Sequence, residues 1–260
     1  MRRGAAGTAG RMVGMAVRIT TLAERPEFAP TLWDMEHTWH RFMLEDPIAD
    51  LYYPVVKTAY PDHVLVADDD AEPGRLVARG YLTPFVSDGG ELPDDGWDGV
   101  IRSGWLAREG GRPTDAVSAL EITVRRDLLG KGLSSVMLAA MRSQAARLGH
   151  RELVAPVRPN LKHLEPHTPM DEYAFRTRAD GLPHDAWLRV HVRAGGRIVK
   201  VAPRSMVVAG TLAEWRGWTG LPFDRSGPVE VPGALSPVHC DVTHDHAVYV
   251  EPNVWVSHPL

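Results

Sequence analysis

The chain has 260 residues, of which 44% are hydrophobic and 24% are charged. This is an ordinary globular composition, with room for one large domain or two small ones. A net charge of -4 argues against nucleic acid or an anionic membrane as the main partner. The single cysteine, Cys240, excludes an internal disulfide framework and fits a reducing compartment, so we expect a cytoplasmic protein.

The N-terminal residues include Arg2, Arg3 and Arg11, followed by a short apolar run over 12–17. This run is shorter than the roughly 7–15 apolar residues of a signal peptide. No stretch of the sequence approaches the roughly 18 apolar residues of a membrane-spanning helix. Residues 1–14 are therefore predicted to be a disordered leader.

Hydrophobic periodicity predicts the elements of the first half of the chain. They are a strand over 17–22, helices over 28–42 and 46–59, and a strand pair over 63–68 and 75–82. Residues 87–114 are rich in Gly, Asp and Pro and are predicted to form a long loop. Because this loop carries Trp97 and Trp105, we expect it to cover another part of the molecule.

The second half of the chain alternates strands and helices. The predicted elements are strands over 116–124, 151–157, 198–202, 206–209 and 247–256, and helices over 133–148 and 185–194. The apolar strand 151–157 is expected to be central, and Pro252 makes the last strand an edge or bulged strand. The order of elements predicts an α/β fold, a mixed twisted sheet with helices on both faces.

The most informative segment is 120–148, where a strand runs through a Gly-rich turn directly into an amphipathic helix. The first turn of a helix has backbone N–H groups without partners and the positive end of the helix dipole. Gly130 and Gly132 have no side chain, so an anion can approach these N–H groups closely, and Lys131 adds positive charge. The segment predicts a phosphate-bearing ligand at 129–134.

Other nucleotide motifs fit this segment less well. A Walker P-loop needs a glycine five residues before Gly130, where the chain has Arg125. The Rossmann fingerprint needs a third glycine at the position of Ser135, and an early βαβ unit. A Gly-Lys-Gly turn that only starts a helix stays open as an alternative.

The segment resembles the acyl-CoA site of the GCN5-related N-acetyltransferase (GNAT) superfamily, which follows V-x-P-x-x-[RQ]-G-x-G-x-[GA]. Val124, Gly130 and Gly132 fit this pattern. The resemblance and the surrounding turn assign acyl-CoA binding to Val124, Arg125, Leu129, Gly130, Lys131, Gly132, Leu133, Ser134, Ser135 and Asn160.

Three residues depart from the family pattern. Arg126 stands in place of Pro, Leu129 in place of Arg or Gln, and Ser134 in place of Gly or Ala. The loss of the Arg or Gln removes a side chain that family members often turn toward the pyrophosphate. Arg125 or Arg126 is the expected compensation.

The resemblance implies a GNAT-like acyltransferase domain over 15–210. Residues 211–260 exceed the family minimum and are expected to form a C-terminal extension that completes the sheet or caps the site. The implied co-substrate is acetyl-CoA or another acyl-CoA, and the implied acceptor is a small-molecule amine that attacks the thioester directly in a ternary complex. An acyl carrier protein stays open as the donor, because Leu129 and Ser134 weaken the grip on a pyrophosphate.

The resemblance also implies where catalysis takes place. Family members bind acyl-CoA where two parallel strands splay, here 116–124 and 151–157. The Val124 N–H is the expected oxyanion donor, and Glu121 is the expected base, directly or through water. Glu121 is predicted to lie on the strand face opposite Leu120 and Ile122, with a strand-surface glutamate as the alternative.

Asn160 follows the second splayed strand, where family members often have an Asn that contacts the CoA arm. The family's general acid is a tyrosine a few residues further on, within a helix. The segment 159–169 contains three prolines, which oppose a regular helix there. Tyr173 is the nearest candidate acid, and a packed tyrosine is the alternative.

Several other groups of residues were weighed and carry no assignment. The run 239–246 contains Cys240 and three histidines but reads equally well as a polar hairpin loop, so no metal site is assigned. Cys240 as a nucleophile would need a partnered base, and His191 is expected at the edge of the core. A non-catalytic acyl-CoA-binding module stays open as a different class of function. The sequence also leaves open whether the chain forms a homodimer.

Overall fold

The computed structural model describes residues 8–12, 15–87 and 89–260. Within these residues, ten strands form one mixed sheet. The strands are β1 (Thr8–Met12), β2 (Met15–Thr21), β3 (Val64–Asp69), β4 (Glu72–Phe85), β5 (Ala116–Val124), β6 (Glu152–Val157), β7 (Arg197–Gly210), β8 (Gly227–Val229), β9 (Val238–Asp241) and β10 (His246–Pro259). Among these strands, only β5 and β6 pair in parallel.

The sheet runs in the order β1-β2-β3-β4-β5-β6-β10 and then branches. β6 pairs with residues 254–259 of β10, and β9 pairs with residues 246–248. β7 pairs along the opposite edge of β10, and β8 pairs with β9. This arrangement places β9 beyond the carboxyl end of β6.

Helices pack on both faces of the sheet, as predicted. In the described part of the chain the α-helices are α1 (Val56–Ala59), α2 (Gly96–Glu109), α3 (Leu133–Arg147), α4 (Met170–Ala174), α5 (Ala186–Arg193) and α6 (Leu212–Thr219). One core cluster joins α3, α4 and α5 to the sheet, and a second joins α2 and α6 to the other face. We refer to these as the α3 face and the α2 face.

Alternation along the strands explains the two cores. In β3, Leu65 and Ala67 pack on the α3 face, whereas Val64 and Val66 pack on the α2 face. Because both faces of this strand are buried, its sequence is an uninterrupted apolar run rather than an alternating one.

The two long helices predicted before β3 are wrong. Residues 28–42 and 46–59 form turns, short 3-10 helices and the single helical turn α1. Pro30 and Pro54 interrupt the two segments, and the Leu32 carbonyl accepts a hydrogen bond from Arg79 instead of a helix N–H. Leu32 and Met43, whose spacing in the sequence suits one face of a helix, are nevertheless buried.

The predicted loop 87–114 contains helix α2, so that prediction is wrong over Gly96–Glu109. A Cβ atom at Gly104 would lie 2.4 Å from the carbonyl oxygen of Pro84. The glycine therefore serves close packing of the helix on β4 rather than a turn. Trp97, at the start of α2, is buried and lines the cavity described below.

The C-terminal region is an integral part of the sheet. The strands predicted over 198–202 and 206–209 form one continuous strand, β7, and the last predicted strand lengthens into β10. β10 pairs on both edges and is not an edge strand. Its register shifts between Glu251 and Asn253, so Pro252, which has no N–H, sits in a bulge. The sequence did not predict α6, β8 and β9.

Part of the predicted leader is structured. Thr8–Met12 pair with β2 as strand β1, which occupies the otherwise open edge of that strand. Residues 1–7 and 13–14 of the predicted leader lie outside the described residues. The strand pair β3–β4, the strands β2, β5 and β6, and the helices α3 and α5 are confirmed. In the parts that the structure describes, no helix is long and apolar enough to cross a membrane.

Candidate active site

A cavity opens where β5 and β6 separate. These parallel strands are paired at one place, Ser118 with Val154, and their carboxyl-terminal halves diverge as predicted. The cavity has a volume of about 830 Å³ and is lined by residues of both halves, including Val124 and Val157.

The cavity has two ends that differ in chemistry. The α3 end is lined by Leu129, Ser134 and Leu138, which belong to the turn after β5 and to α3. The α2 end is lined by aromatic and charged side chains, among them Trp33, Tyr53, Trp97, Glu121 and Arg158. The gap between β5 and β6 joins the two ends.

Val124 directs its backbone N–H into this gap. The N–H of Arg125 donates to the carbonyl oxygen of Val77 in β4 at 2.9 Å. In an antiparallel pair, successive residues point their N–H groups to opposite edges of the strand. The N–H of Val124 therefore points away from β4, toward the gap beside β6. An N–H group there can donate to an oxyanion that forms in the cavity.

A β-bulge shapes the α2 end. The register between β4 and β5 shifts after the pair of Tyr81 and Glu121 and leaves Leu120 without a partner residue. The extra residue turns both Leu120 and Glu121 to the α2 face. The prediction that Leu120 shares a face with Ile122 is wrong for this reason, whereas Glu121 does lie on the face opposite Ile122.

Three side chains hold Glu121. The Tyr53 hydroxyl donates to Oε2 at 2.7 Å, the Thr123 hydroxyl donates to Oε1, and Arg79 Nε lies 3.6 Å from Oε1. The Glu121 side chain is 8% exposed. Burial, and then the charge of Glu121, raise the pKa of Tyr53 well above its ordinary value, so this hydroxyl stays a donor. A fixed carboxylate that lines a cavity is suited to accept a proton from a ligand.

The turn before α3 offers backbone N–H groups to the cavity. Among the described residues, four of these groups have no hydrogen-bond partner, those of Gly130, Gly132, Leu133 and Ser134. The φ angles of Gly130 and Gly132 are 75° and 83°, a left-handed conformation that favours glycine. A Cβ atom at either position would meet nothing within 4 Å. The turn therefore has open space, free donors and the helix dipole, which together suit a phosphate group.

Comparison with known proteins agrees with this geometry. No family model matches the sequence. The chain is 32% identical to the arginine N-acetyltransferase avaD of Aspergillus versicolor over 271 aligned residues, which cover 93% of this chain and 93% of that protein. The chain belongs to the GCN5-related N-acetyltransferase superfamily.

Two solved structures of GNAT-type proteins share the fold. The loading GNATL domain of CurA from Lyngbya majuscula has a TM-score of 0.57 at 15% identity, covering 94% of this chain and 97% of that one. The GphF GNAT-like decarboxylase, solved with isobutyryl-CoA, has a TM-score of 0.54 at 18% identity, covering 94% and 98%. The near-full-length identity to an N-acetyltransferase, together with this fold, shows that the chain is an acyl-CoA-dependent N-acyltransferase.

The residues predicted from the GNAT pattern divide by where their side chains lie. Val124, Leu129, Ser134 and Asn160 line the cavity. Leu133 is buried in the core of the α3 face, so only its N–H faces the turn.

The remaining predicted side chains lie outside the cavity lining. Lys131 and Ser135 are exposed beside the turn. Arg125 pairs with Asp127 through bonds of 2.6 and 3.0 Å. Arg125 Nη1 is left without a hydrogen-bond partner and Arg126 is exposed, so compensation by either arginine stays a prediction.

Tyr173 does not reach the cavity. It is 1% exposed in the core of the α3 face, and its hydroxyl donates to Asp185 Oδ2 at 3.0 Å. Burial, and then the charge of Asp185, raise the pKa of Tyr173 above its ordinary value. The hydroxyl supports the start of α5, because Asp185 caps that helix. The structure thus fits the packed tyrosine and not the general acid.

The sequence analysis missed the polar group at the α2 end that Arg158 and Glu251 form. Arg158 follows β6, and Glu251 lies in β10 with a side chain that is 0% exposed. The sequence signal for this buried ion pair was Glu251 itself, a glutamate within the apolar run of β10, because a buried charge requires a partner of opposite charge. Arg79, which pairs with Glu121, was also missed.

The other residue groups weighed from the sequence lie elsewhere or lack the required partners. Cys240 is buried in β9 away from the cavity lining, and burial raises the pKa of its thiol. His244 is hydrogen-bonded to Asp241 at 2.8 Å in the β9–β10 turn. His191 does line the cavity, but its ring contacts His258 at 2.9 Å, and burial lowers the pKa of His191 to about 3. It is therefore uncharged at neutral pH.

Proposed function

We propose that this enzyme transfers an acetyl group from acetyl-CoA to the α-amine of arginine or a closely related amino acid. The observation that carries the proposal is the position of Glu121, a buried carboxylate at the splay next to the inward N–H of Val124. The identity with an arginine N-acetyltransferase over nearly the whole chain supports both the acyl group and the acceptor.

The α3 end is the proposed donor site. The pyrophosphate of CoA would accept hydrogen bonds from the free N–H groups of Gly130, Gly132, Leu133 and Ser134. Lys131 and Arg126 are exposed nearby and would add screened attraction rather than fixed contacts. Backbone donors thus replace the side chain that the family often supplies at the position of Leu129.

The α2 end is the proposed acceptor site. Its wall of Trp33, Trp39, Tyr53 and Trp97 offers aromatic faces, which attract cations such as a guanidinium. Asp50, which also lines the cavity and is exposed, adds a carboxylate at the rim. These features fit the side chain of arginine.

The reaction assigns each group one role. The α-amine, whose pKa is well below that of a guanidinium, reaches its neutral form at moderate cost and is the nucleophile. As its nitrogen bonds to the thioester carbon, the carbonyl oxygen becomes an oxyanion that accepts from the Val124 N–H. The nitrogen gives its proton to Glu121, the C–S bond breaks, and CoA leaves as a thiolate.

The leaving group needs little further help in this scheme. A thiol is much more acidic than an alcohol, with a pKa near 8.5 for a cysteine side chain, so the thiolate of CoA is a tolerable leaving group near neutral pH. It departs toward the α3 end, where the positive end of the helix dipole stabilises negative charge. No role is left for Tyr173.

A direct assay tests the proposal. The full chain is mixed with acetyl-CoA and a panel of amines that includes arginine, and free thiol is measured together with the mass of the product. We expect stoichiometric thiol and N-acetylarginine. Acetylation by an acetylated carrier protein but not by acetyl-CoA would favour the carrier-protein donor, and binding of acetyl-CoA without transfer to any amine would overturn the proposal.

A further inference from the structure

Arg158 lies at the mouth of the splay with its guanidinium locked in place. Its Nε donates to both oxygens of Glu251, at 2.9 and 3.1 Å, and its Nη2 donates to the carbonyl oxygen of Gly233 at 2.5 Å. The side chain is 20% exposed and lines the cavity. Among the described residues, the hydrogen bonds from Arg158 to Glu251 and Gly233 are made by Nε and Nη2, and Nη1 makes none of them.

Glu251 is saturated by the groups around it. In addition to Arg158, the Tyr249 hydroxyl donates to Oε2 at 2.7 Å and the Asn253 amide donates to Oε1 at 3.0 Å. A carboxylate with this many donors has little capacity left for a ligand. Its role is to hold Arg158, so what this group presents to the cavity is the free side of a guanidinium.

The strand register places this guanidinium beside the reacting centre. Ser118 pairs with Val154, and beyond this pair Glu121 of β5 and Arg158, directly after β6, both lie toward the diverging carboxyl ends of the two strands and line the cavity. Glu121 is the neighbour of Ile122 and faces the same α2 face as the Glu251 group, whose Tyr249 belongs to that core. Arg158 and Glu121 therefore flank the gap from its two sides.

The other titratable groups at this end of the cavity were compared with Arg158 as possible partners for an anion. His40 and His163 also line the cavity there. Burial, and then the charge of Arg158, lower the pKa of His40, so its ring is neutral at neutral pH. Glu121 is paired with Arg79 of β4, on the side of β5 away from the gap. On the β6 side of the gap, the guanidinium of Arg158 is the charged donor that an anion of the acceptor meets.

We propose that Arg158 binds the carboxylate of the acceptor and so makes the enzyme selective for α-amino acids over amines that lack a carboxylate. This inference rests on the proposed function. In an α-amino acid, one carbon separates the amine from the carboxylate, so the carboxylate receptor must lie near the base, and Arg158 lines the same cavity as Glu121 from the other side of the gap. A guanidinium is suited to this task because its planar donors match a carboxylate.

The test compares arginine with agmatine, which keeps the amine and the guanidinium but has no carboxylate. For the unmodified enzyme we expect kcat/KM to be at least ten-fold higher with arginine. In Arg158→Gln, we expect the ratio of the two kcat/KM values to fall at least ten-fold, mainly through a higher KM for arginine, with the KM for acetyl-CoA changing less than two-fold. Arg158→Lys should recover part of the ratio, because it restores charge without the planar fork.

Several outcomes would overturn the inference. Equal kcat/KM for arginine and agmatine in the unmodified enzyme would do so without any variant, which covers the case that Arg158→Gln fails to fold. An equal loss with both acceptors, or a rise in the KM for acetyl-CoA, would assign Arg158 to folding or to donor binding. Absence of transfer to either acceptor would instead reject the proposed function itself.

Discussion

In the proposed function, each end of the cavity holds a charged ligand, but the two ends use different groups to do so. The α3 end uses backbone N–H groups that one continuous segment, 125–134, presents. The α2 end uses side chains from separate elements, and each buried charge there has a partner of opposite sign, Arg79 for Glu121 and Arg158 for Glu251. The proposed donor site therefore depends on local chain geometry, whereas the proposed acceptor site depends on the packing of the whole α2 face.

The largest expected effect tests the α2 end. Glu121→Gln keeps a side chain that can hydrogen-bond Tyr53 but cannot take up the proton of the amine, so kcat should fall by about 10²–10⁴-fold. The affinity for acetyl-CoA, measured by calorimetry, should stay within about two-fold, because that site lies at the other end. Glu109→Gln, an exposed change at the end of α2, is the matched control and should behave like the unmodified enzyme.

If Glu121→Gln retained normal kcat across the pH range, Glu121 would be a structural partner of Arg79 and not the base.

The next effect tests the α3 end. Gly132→Asp places a carboxylate in the open space before α3, where it would repel the pyrophosphate and cap the free N–H groups. Acetyl-CoA affinity should fall at least ten-fold, about 1.4 kcal/mol, by calorimetry. Gly111→Asp is the matched control. Gly111 also has a positive φ and open space, but it follows the C-terminus of helix α2 and does not line the cavity.

The two aspartate variants should lose similar stability from the strained φ, and only Gly132→Asp should lose CoA affinity. An equal affinity in both would show that the turn does not hold the donor.

A smaller effect concerns Asp98, which connects helix α2 to strand β7 beside the proposed acceptor site. Asp98 in α2 is 3% exposed and accepts from the N–H of Val207 at 3.2 Å, and burial and the nearby Asp46 raise the pKa of Asp98 to about 9. An aspartate in the unfolded chain titrates near 4, so between about pH 4 and 9 only the folded state keeps this proton. The contribution of this protonated carboxyl to the free energy of unfolding is therefore fully present below about pH 4. It is lost as the pH rises toward 9, at up to about 1.4 kcal/mol per pH unit.

Asp98→Asn should reduce this dependence, because the amide does not titrate but can still accept from Val207, whereas the buried Asp46, whose pKa is also raised by burial, continues to titrate. Urea unfolding at pH 5.5 and 8.5 should show a loss in the unmodified protein that exceeds the loss in Asp98→Asn by more than about 1 kcal/mol. Asp94→Asn, whose carboxylate is exposed and has a lowered pKa, should retain the unmodified slope. Equal slopes in all three proteins would reject the role of the Asp46–Asp98 pair.

The smallest expected effect tests whether Tyr173 acts as the general acid that family members place on a tyrosine. Tyr173→Phe should leave kcat within about two-fold and cost about 1 kcal/mol of stability, the value of one buried hydrogen bond. Tyr53→Phe, the matched change within the cavity, should lower kcat several-fold because Glu121 loses a donor. A large fall in kcat for Tyr173→Phe alone would return Tyr173 to the role of acid.

The contrast between the ends also explains what the sequence could predict. The turn at Gly130 and Gly132 could be predicted from the sequence, because a strand, two glycines and a helix follow one another within about thirty residues. The α2 end was not accessible, because its contacts join distant residues. Tyr53 and Glu121 are 68 residues apart in the sequence, and Arg158 and Glu251 are 93 residues apart.

The errors in the fold have a similar origin. The apolar spacing over 28–42 indicates burial and was read as a helix, but Pro30 and the hydrogen bond from Arg79 to Leu32 favour turns that follow the cavity wall. The glycines of α2 indicate a loop from composition alone, and only their close tertiary contacts, such as those of Gly104 with β4 and of Gly96 with Ser205, show why they are there. In both cases tertiary contact decided the local structure.

The central claim is that both ends of the cavity are filled when the acetyl group moves. Initial rates measured over a matrix of acetyl-CoA and arginine concentrations test this directly. Direct transfer in a ternary complex predicts double-reciprocal lines that intersect. Parallel lines, together with an enzyme mass increased by one acetyl group in the absence of arginine, would contradict the account, because they would show that the acetyl group first moves to the protein.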